Sequence, residues 1–203
     1  MQQQFIDTAE SRLNWIKALQ GAWAFTGVLF LVFALGYSLI ATGLAQLIFP
    51  KQANGSLVKI QGNVIGSTLV AQPFTGLQYF QGRPSTVKTD PMAMAGSNMA
   101  MSNPALQQTI VQRQQVIAAR DGVAPNRIPK DLLTASGSGI DPDMSVQGAQ
   151  IQAKRIAKQR RMTEQQVLHL IQQQTHQPQF QFLGPATVNV LQLNLALDDI
   201  KAE

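Results

Sequence analysis

The sequence predicts a single N-terminal transmembrane α-helix followed by one α+β soluble domain, and three observations carry that expectation. No Asp, Glu, Lys or Arg lies between Lys17 and Lys51, and Leu, Val, Ala, Phe and Ile fill most of the gap. After Pro50 the apolar residues come in short pieces separated by turn formers. The polar remainder has the length of one ordinary domain, with room for a single core.

An apolar run of roughly 18 residues or more crosses the hydrocarbon of a bilayer as a helix. A helix is suited to that environment because it satisfies its own backbone polar groups. A buried core helix of this length would need a larger soluble shell than the remaining chain supplies. The apolar region also exceeds the 7–15 residues or so of a signal peptide's core, although Gly43-Leu44-Ala45 resembles a cleavage site. Trp15, Trp23 and Phe49 suit the two interfaces. Pro50, which lacks an N–H, is expected to stop the helix. The chain therefore divides into a tail (residues 1–17), the helix with its flanks (18–50) and a soluble domain (51–203). Charge barely chooses a side, since Arg12 and Lys17 flank one end while Lys51 and Lys59 flank the other.

In the domain, Leu57, Val58, Ile60, Val64, Ile65, Leu69 and Val70 predict short strands broken by Asn54-Gly55 and Gly62-Asn63. Phe74, Tyr79 and Phe80 are expected to plug a small core. Residues 86–103, with Met92, Met94, Met99 and Met101, read as a long loop with an adaptable surface. A helix is predicted from Pro104 to Arg120, capped by Asn103, with Leu106, Ile110, Val111, Ile117 and Ala118 as its core stripe. Ser145 caps a second helix reaching about Gln159, and Thr163 with Gln166 forms a capping box for a third. Phe180 and Phe182, alternating with Gln179 and Gln181, predict a strand ended by Gly184-Pro185. Asn189 caps a last helix bearing Val190, Leu193 and Leu197.

The formal net charge of +5 admits nucleic acid as a partner. Its only cluster, Lys154, Arg155, Lys158, Arg160 and Arg161, recurs at helical spacing and reads as a solvated helix face, so no nucleic-acid partner is expected. His169 and His176 lack the Cys and carboxylate company of a metal site and are expected to be solvated. Asp141-Pro142-Asp143 lacks the other ligands of a calcium loop and reads as a turn. Ser85-Thr86-Val87-Lys88 matches the S-x-x-K pattern of penicillin-binding enzymes and defines the alternative reading, a membrane-tethered extracytoplasmic hydrolase using Ser85 and Lys88. That chemistry needs the Ser at a helix start with the Lys one turn on. This stretch is β-branched, lies between Pro84 and Pro91, and is a poor helix. There is no G-x-x-x-x-G-K-[ST] and no G-x-G-x-x-G after a strand. Gly137-Ser138-Gly139 is separated from any helix start by Ile140, Asp141 and Pro142, which weakens it as a phosphate cradle. No catalytic constellation and no metal site emerge.

Several segments together are specific. Gln52–Leu57 follows the apolar run directly, then come Phe74-Thr75-Gly76, Tyr79–Ser85 and Gly96-Ser97-Asn98. Ser102-Asn103-Pro104, Thr134–Gly139, Val188-Asn189-Val190 and Leu193–Asp198 complete the series. In this order they resemble the KdpC family, the C subunits of the high-affinity potassium-transporting Kdp ATPase. The resemblance implies an accessory, non-catalytic subunit with no cofactor of its own. It would be held in the cell (inner) membrane by one span, with its N-terminus cytoplasmic and its domain extracytoplasmic. The implied partners are a channel-like A subunit that takes up K⁺, a P-type B subunit that hydrolyses ATP, and a small F subunit. Consistently, the D-K-T-G motif of P-type pumps and the T-V-G-Y-G filter are absent, and one span cannot enclose a pore. A catalytic-chaperone role, raising the ATP affinity of the B subunit, has been proposed for the family. The candidate for it is Ser136, Gly137, Ser138 and Gly139, which resemble a degenerate ABC signature. An exterior domain would not meet cytosolic ATP, so a structural role is favoured. Arg83, Ser85, Ser97 and Asn98 form the candidate docking surface. The tail Met1–Arg12 is longer than in many relatives, and Ser38 stands where many have Pro, which predicts a straighter span.

Overall fold

The computed structural model describes residues 2–200, with side chains from Asn14 onward. Two compact units meet in the sequence at Gly55 and Ser56.

The first unit is helical: α1 (Gln2–Leu29), a stretch wound with i→i+5 bonding (Phe30–Tyr37), α2 (Ser38–Ile48) and the short α3 (Pro50–Ala53). Residues Asn14–Ile48 are long and apolar enough to cross a membrane, with a mean hydropathy of 2.2. None of that window is buried in protein, as it would be in a core helix. The unit departs from the sequence-based expectation in two ways. The wide-turned stretch before Ser38 replaces a plain α-helix, and such turns are a recognised cause of helix bending without Pro. Pro50 also does more than stop the span. Phe49 breaks the helix at φ −129°, and Pro50 takes the first position of α3. Asn54 then donates to Gln46 Oε1 at 2.9 Å and to the Pro50 carbonyl at 2.7 Å.

The second unit is α+β. It opens with an antiparallel hairpin, β1 (Leu57–Ile60) and β2 (Asn63–Ser67), turning through Gln61 and Gly62 at φ 50° and 84°. Leu69 and Val70, expected in a strand, lie in the turn beyond β2 because Leu69 N–H is taken by the Ser67 hydroxyl. No regular element interrupts residues 68–103. Next come α4 (Pro104–Asp121), two single 3₁₀ turns (Pro125–Arg127 and Lys130–Leu132), β3 (Asp143–Ser145), α5 (Val146–Gln150) and α6 (Ala153–Arg160). Finally α7 (Glu164–Gln173), β4 (Thr175–His176), β5 (Thr187–Asn189) and α8 (Val190–Asp199) complete the chain.

The second sheet is antiparallel in the order β3-β5-β4. Two of its strands run straight into helices, and both junctions are capped: Ser145 Oγ accepts from Gly148 N–H, and Asn189 Oδ1 from Gln192 N–H. Met144 and Val188 are paired neighbours at the centre of the main core. Around them pack Phe80, Ile156, Val167, Ile171, Leu193 and Leu197. A smaller cluster of Ile117, Ile128, Leu132 and Leu133 seats α4 on the two 3₁₀ turns.

The caps of α4, α7 and α8 stand as expected, including the reciprocal box of Thr163 and Gln166. Three expectations need correction. The helix begun at Ser145 breaks after Gln150 and restarts at Ala153: Gln152 N–H bonds the Ala149 carbonyl, while its side-chain amide takes the Gly148 carbonyl that a continuous α-helix would offer that N–H. Val111 is 49% exposed and lies outside the core stripe of α4. Phe180 and Phe182 lie in a tight turn closed by a single Gln179–Leu183 bridge, with Phe180 and Gln181 at φ 53° and 68°. Both rings face outward, so alternation there reflects no buried strand face.

Candidate functional site

The strongest local construction in the domain is the irregular segment Leu77–Arg83. It threads beside the core without a strand partner, so its backbone polar groups need other satisfaction. Side chains provide it. Asn194, 1% exposed on α8, accepts from Phe80 N–H at 2.8 Å and donates to the Phe80 carbonyl at 2.9 Å. Gln152 repeats the arrangement one residue on, accepting from Gln81 N–H at 2.9 Å and donating to the Gln81 carbonyl at 3.0 Å. These two amides imitate a neighbouring strand.

Arg155, one turn on from Gln152, holds the same segment at Leu77 and Tyr79. Its guanidinium donates to the carbonyls of Leu77 and Tyr79 and to Gln152 Oε1, while its Nε meets Asp121 Oδ1 at 2.6 Å. Arg120 grips the second Asp121 oxygen at 2.6 Å and reaches Gln81 Oε1. Burial lowers the Arg155 pKa, the hydrogen bond and charge of Asp121 raise it, and the Arg120 charge lowers it. The basic cluster on α6 is therefore not the uniformly solvated face that its spacing predicts. Lys154 and Lys158 face water, but Arg155 is buried on Asp121. Arg160 pairs with Asp198 at 2.6 Å and lies over the Tyr79 ring at 4.9 Å.

The clamped segment delivers Arg83 to Asp141, with Nη1 to Oδ2 at 2.6 Å. Asp141 also accepts from Asp143 N–H, so it makes the expected turn, which leads directly into β3. The Ser85 hydroxyl accepts from both Val87 N–H (3.2 Å) and Thr89 N–H (2.9 Å). Lys88 and Thr89 follow at φ 55° and 61°, a backbone region that costs energy for residues with a Cβ. Ser85 through Lys88 thus form a turn and not the helix that S-x-x-K chemistry requires. Thr86 Oγ1 donates to the Ala95 carbonyl at 2.7 Å and closes this loop on itself.

Ser136–Gly139 packs against that loop. A Cβ on Gly139 (φ 73°) would lie 2.6 Å from the Ala95 carbonyl oxygen and from Val87 Cγ2. A Cβ on Gly96 would lie 3.0 Å from the Gly137 carbonyl oxygen. The serines serve the turn itself: Ser136 Oγ accepts from Gly139 N–H and Ser138 Oγ from Ile140 N–H. The fold therefore brings Arg83, Ser85 and the stretch leading into Ser97 and Asn98 beside Ser136–Gly139. Arg83, Ser85 and Ser97 are half-buried, and Asn98 is exposed at φ 52°.

His169 and His176 are exposed, and His176 sits 3.2 Å from Gln192 Oε1. Residues outside the sequence-based candidates build the cluster, namely Asp121, Gln152, Arg155 and Asn194. Only an uncharacteristic polar residue at a core position of a helix (Gln152 between Ala149 and Ala153, Asn194 between Leu193 and Leu197) hinted at them.

The KdpC family model, described as K⁺-transporting ATPase, c chain, matches residues 19–199. The chain belongs to the KdpC family. Relatives named potassium-transporting ATPase KdpC subunit agree over most of their length. One from Xanthomonas campestris pv. campestris (strain B100) is 52% identical, covering 89% of this chain and 87% of the relative. One from Erwinia tasmaniensis is 48% identical, covering 86% and 93%. A third, from Shewanella putrefaciens, is 45% identical over 90% and 92%. The KdpC match spans the apolar helix as well as the clamped loop cluster, so both belong to the family's common chain.

Proposed function

We propose that this KdpC-family chain is an accessory, non-catalytic subunit of an ATP-driven K⁺ uptake complex. It stabilises the assembly of a channel-like A subunit with a P-type B subunit and a small F subunit. Its single span lies in the cell membrane with the N-terminus cytoplasmic, and the domain beyond Lys51 is extracytoplasmic. Catalysis belongs to the B subunit, and ATP and K⁺ are handled by partners. The observation that carries this reading is the family match over residues 19–199, covering span and domain together.

The loop cluster favours a structural role over a nucleotide-linked one. In Ser136–Gly139 the serine hydroxyls and the Gly139 and Ile140 amides are engaged with one another, and Gly139 admits close contact with the Ala95 backbone. A phosphate would have to compete with those bonds. Likewise the Ser85 hydroxyl already accepts two amide protons, which disfavours a hydrolase based on Ser85 and Lys88.

Purification of the chain from its native membrane tests the assembly. Co-purification with a P-type ATPase and a channel-like subunit is expected, and isolation alone with hydrolase activity labelled at Ser85 would overturn it. Protease added outside cells whose outer membrane is permeabilised should cut the domain beyond Lys51, whereas full protection would reverse the orientation. Tight ATP binding by the full chain would instead support the catalytic-chaperone role.

A further inference from the structure

The β1–β2 hairpin is the first regular element of the domain, and one of its faces has no protein over it. Directly opposed residues of an antiparallel pair share a face, and alternate residues of a strand do too. Val58 therefore lies with Gly66, while Lys59 lies with Val64 and Leu57 on the other side. A Cβ on Gly66 would come within 3.2 Å of Leu191 Cδ2, so the Val58–Gly66 face looks onto α8. The face of Leu57, Lys59 and Val64 looks away from it, and all three residues are exposed. Ile60, Ile65 and Leu69 are exposed beside them. Scattered apolar residues on a surface are ordinary, but so many on one hairpin make a patch. The base of the hairpin is tied down: Thr68 N–H donates to the Ser56 carbonyl at 3.2 Å, and Asn189 Nδ2 to the Thr68 carbonyl at 2.9 Å. The outward face is thus held out from the core.

Reach and charge decide what covers it. Leu57 follows Ala53, the last residue of α3, by at most about 14 Å of chain. Pro50 opens α3 immediately after Phe49 ends the apolar helix. The chain therefore keeps the hairpin close to the headgroups at which its span ends, and this raises its effective concentration there. From Ala18 to Thr89 there is no Asp or Glu, whereas Lys51 and Lys59 lie between the span and the hairpin turn. Neither lysine is ion-paired among the described residues. The carboxylate that comes near the hairpin base, Asp143, is taken by Asn189. An apolar face with an unpaired lysine in its middle matches a phospholipid surface. The lysine stem lies along apolar neighbours while its ammonium reaches the phosphates.

We propose that the outward face of the hairpin rests on the phospholipid surface on its own side of the membrane. Leu57 and Val64 enter the boundary of the acyl chains, and Lys59 meets headgroup phosphates. The contact depends on the span, and neither on the accessory role nor on which side the domain lies.

The chain has no cysteine, so Val64→Cys takes a single fluorophore, read in the full chain in nanodiscs containing phosphatidylglycerol. Nitroxide-bearing lipid should quench that label and leave one at Val111→Cys, an exposed apolar position on α4, unquenched. Lys59→Gln should lower the ratio of docked to free hairpin about fivefold, as for one lysine at an anionic surface. An unchanged ratio overturns the phosphate contact. An unquenched Val64 label in an inserted chain overturns the proposal, and so does equal quenching at Val64 and Val111, since any apolar probe then finds the lipid. In the unlabelled wild-type chain, gadolinium-tagged lipid should broaden the Lys59 and Val64 amide signals in NMR spectra; sharp signals there would show that the fluorophore drew the hairpin down. Quenching that disappears in the purified complex assigns this face to a protein subunit and overturns the lipid contact. A chain that stays out of nanodiscs contradicts the span itself, which is a separate failure.

Discussion

Asp121 holds two guanidinium groups on one carboxylate whose side chain is fully buried. Removing the carboxylate would leave Arg155 and Arg120 facing each other without a counter-charge, and breaking a buried pair this way typically costs about 3–5 kcal/mol. Asp121→Ala is therefore expected to lower the unfolding free energy of the domain by an amount of that order, read as a fall in its chemical-denaturation midpoint. Asn194→Ala removes a donor and an acceptor from the Phe80 backbone together. A loss of about 2 kcal/mol is expected, with amide exchange accelerated most at Phe80. An unchanged exchange rate at Phe80 would show that the segment is held by packing alone. In the sequence, Asn194 is marked only by its place among the apolar residues of α8, and Asp121 by nothing. Asp121 looks like the punctuation of α4 before Gly122, and the Arg155 partner lies far away in the chain.

Among the helices, strands and turns, local chemistry was largely legible. Caps depend on residues within a turn of one another, so Asn103, Ser145, Thr163 and Asn189 could be read in place. Thr163→Ala should cost about 1 kcal/mol in thermal or chemical denaturation, and Thr163→Ser should recover most of it. Gly139 belongs with these turns too, but its need is tertiary. Its left-handed φ is local, whereas the Ala95 carbonyl that excludes a Cβ comes from another loop. Gly139→Ala is expected to destabilise the domain by more than about 1 kcal/mol, while Gly137→Ala, with nothing near its Cβ, should cost less. Equal effects would mean that the two loops part easily. The misreadings have the same origin. The helix pattern is interrupted at Gln152, whose side chain takes the Gly148 carbonyl as well as reaching Gln81, and the Phe180–Phe182 alternation lacks a neighbouring strand to give it a buried face.

Across the entire chain, apolar surface separates into two kinds. The helix Asn14–Ile48 is exposed along its length, as a lipid-facing span would be, while the domain buries a compact core around Met144 and Val188. The Met-bearing loop stays outside that core, with Met92 at 91% exposure against 1% for Met144. Mild peroxide should oxidise Met92, Met94 and Met101 first and Met144 only after unfolding, read by peptide mass spectrometry. Early oxidation of Met144 would contradict a core centred on it. Protection of the loop methionines in the assembled complex would place a partner on that side of the domain.

The apolar helix, the α+β character of the domain beyond it, the helix caps and the family were all legible in the order of the residues. The first three depend on composition, periodicity or residues close together in the chain, where propensity and pattern act directly, and the family was legible as a resemblance of ordered segments. The division of the α6 arginine cluster between water and the core emerged only from the folded chain. So did the hold on Leu77–Arg83 by side chains from α4, α6 and α8, and the packing of Ser136–Gly139 against the loop of Ser85 and Gly96. Those outcomes rest on hydrogen bonds and close contacts between residues distant in sequence, and an irregular segment has no periodicity that could reveal its partners.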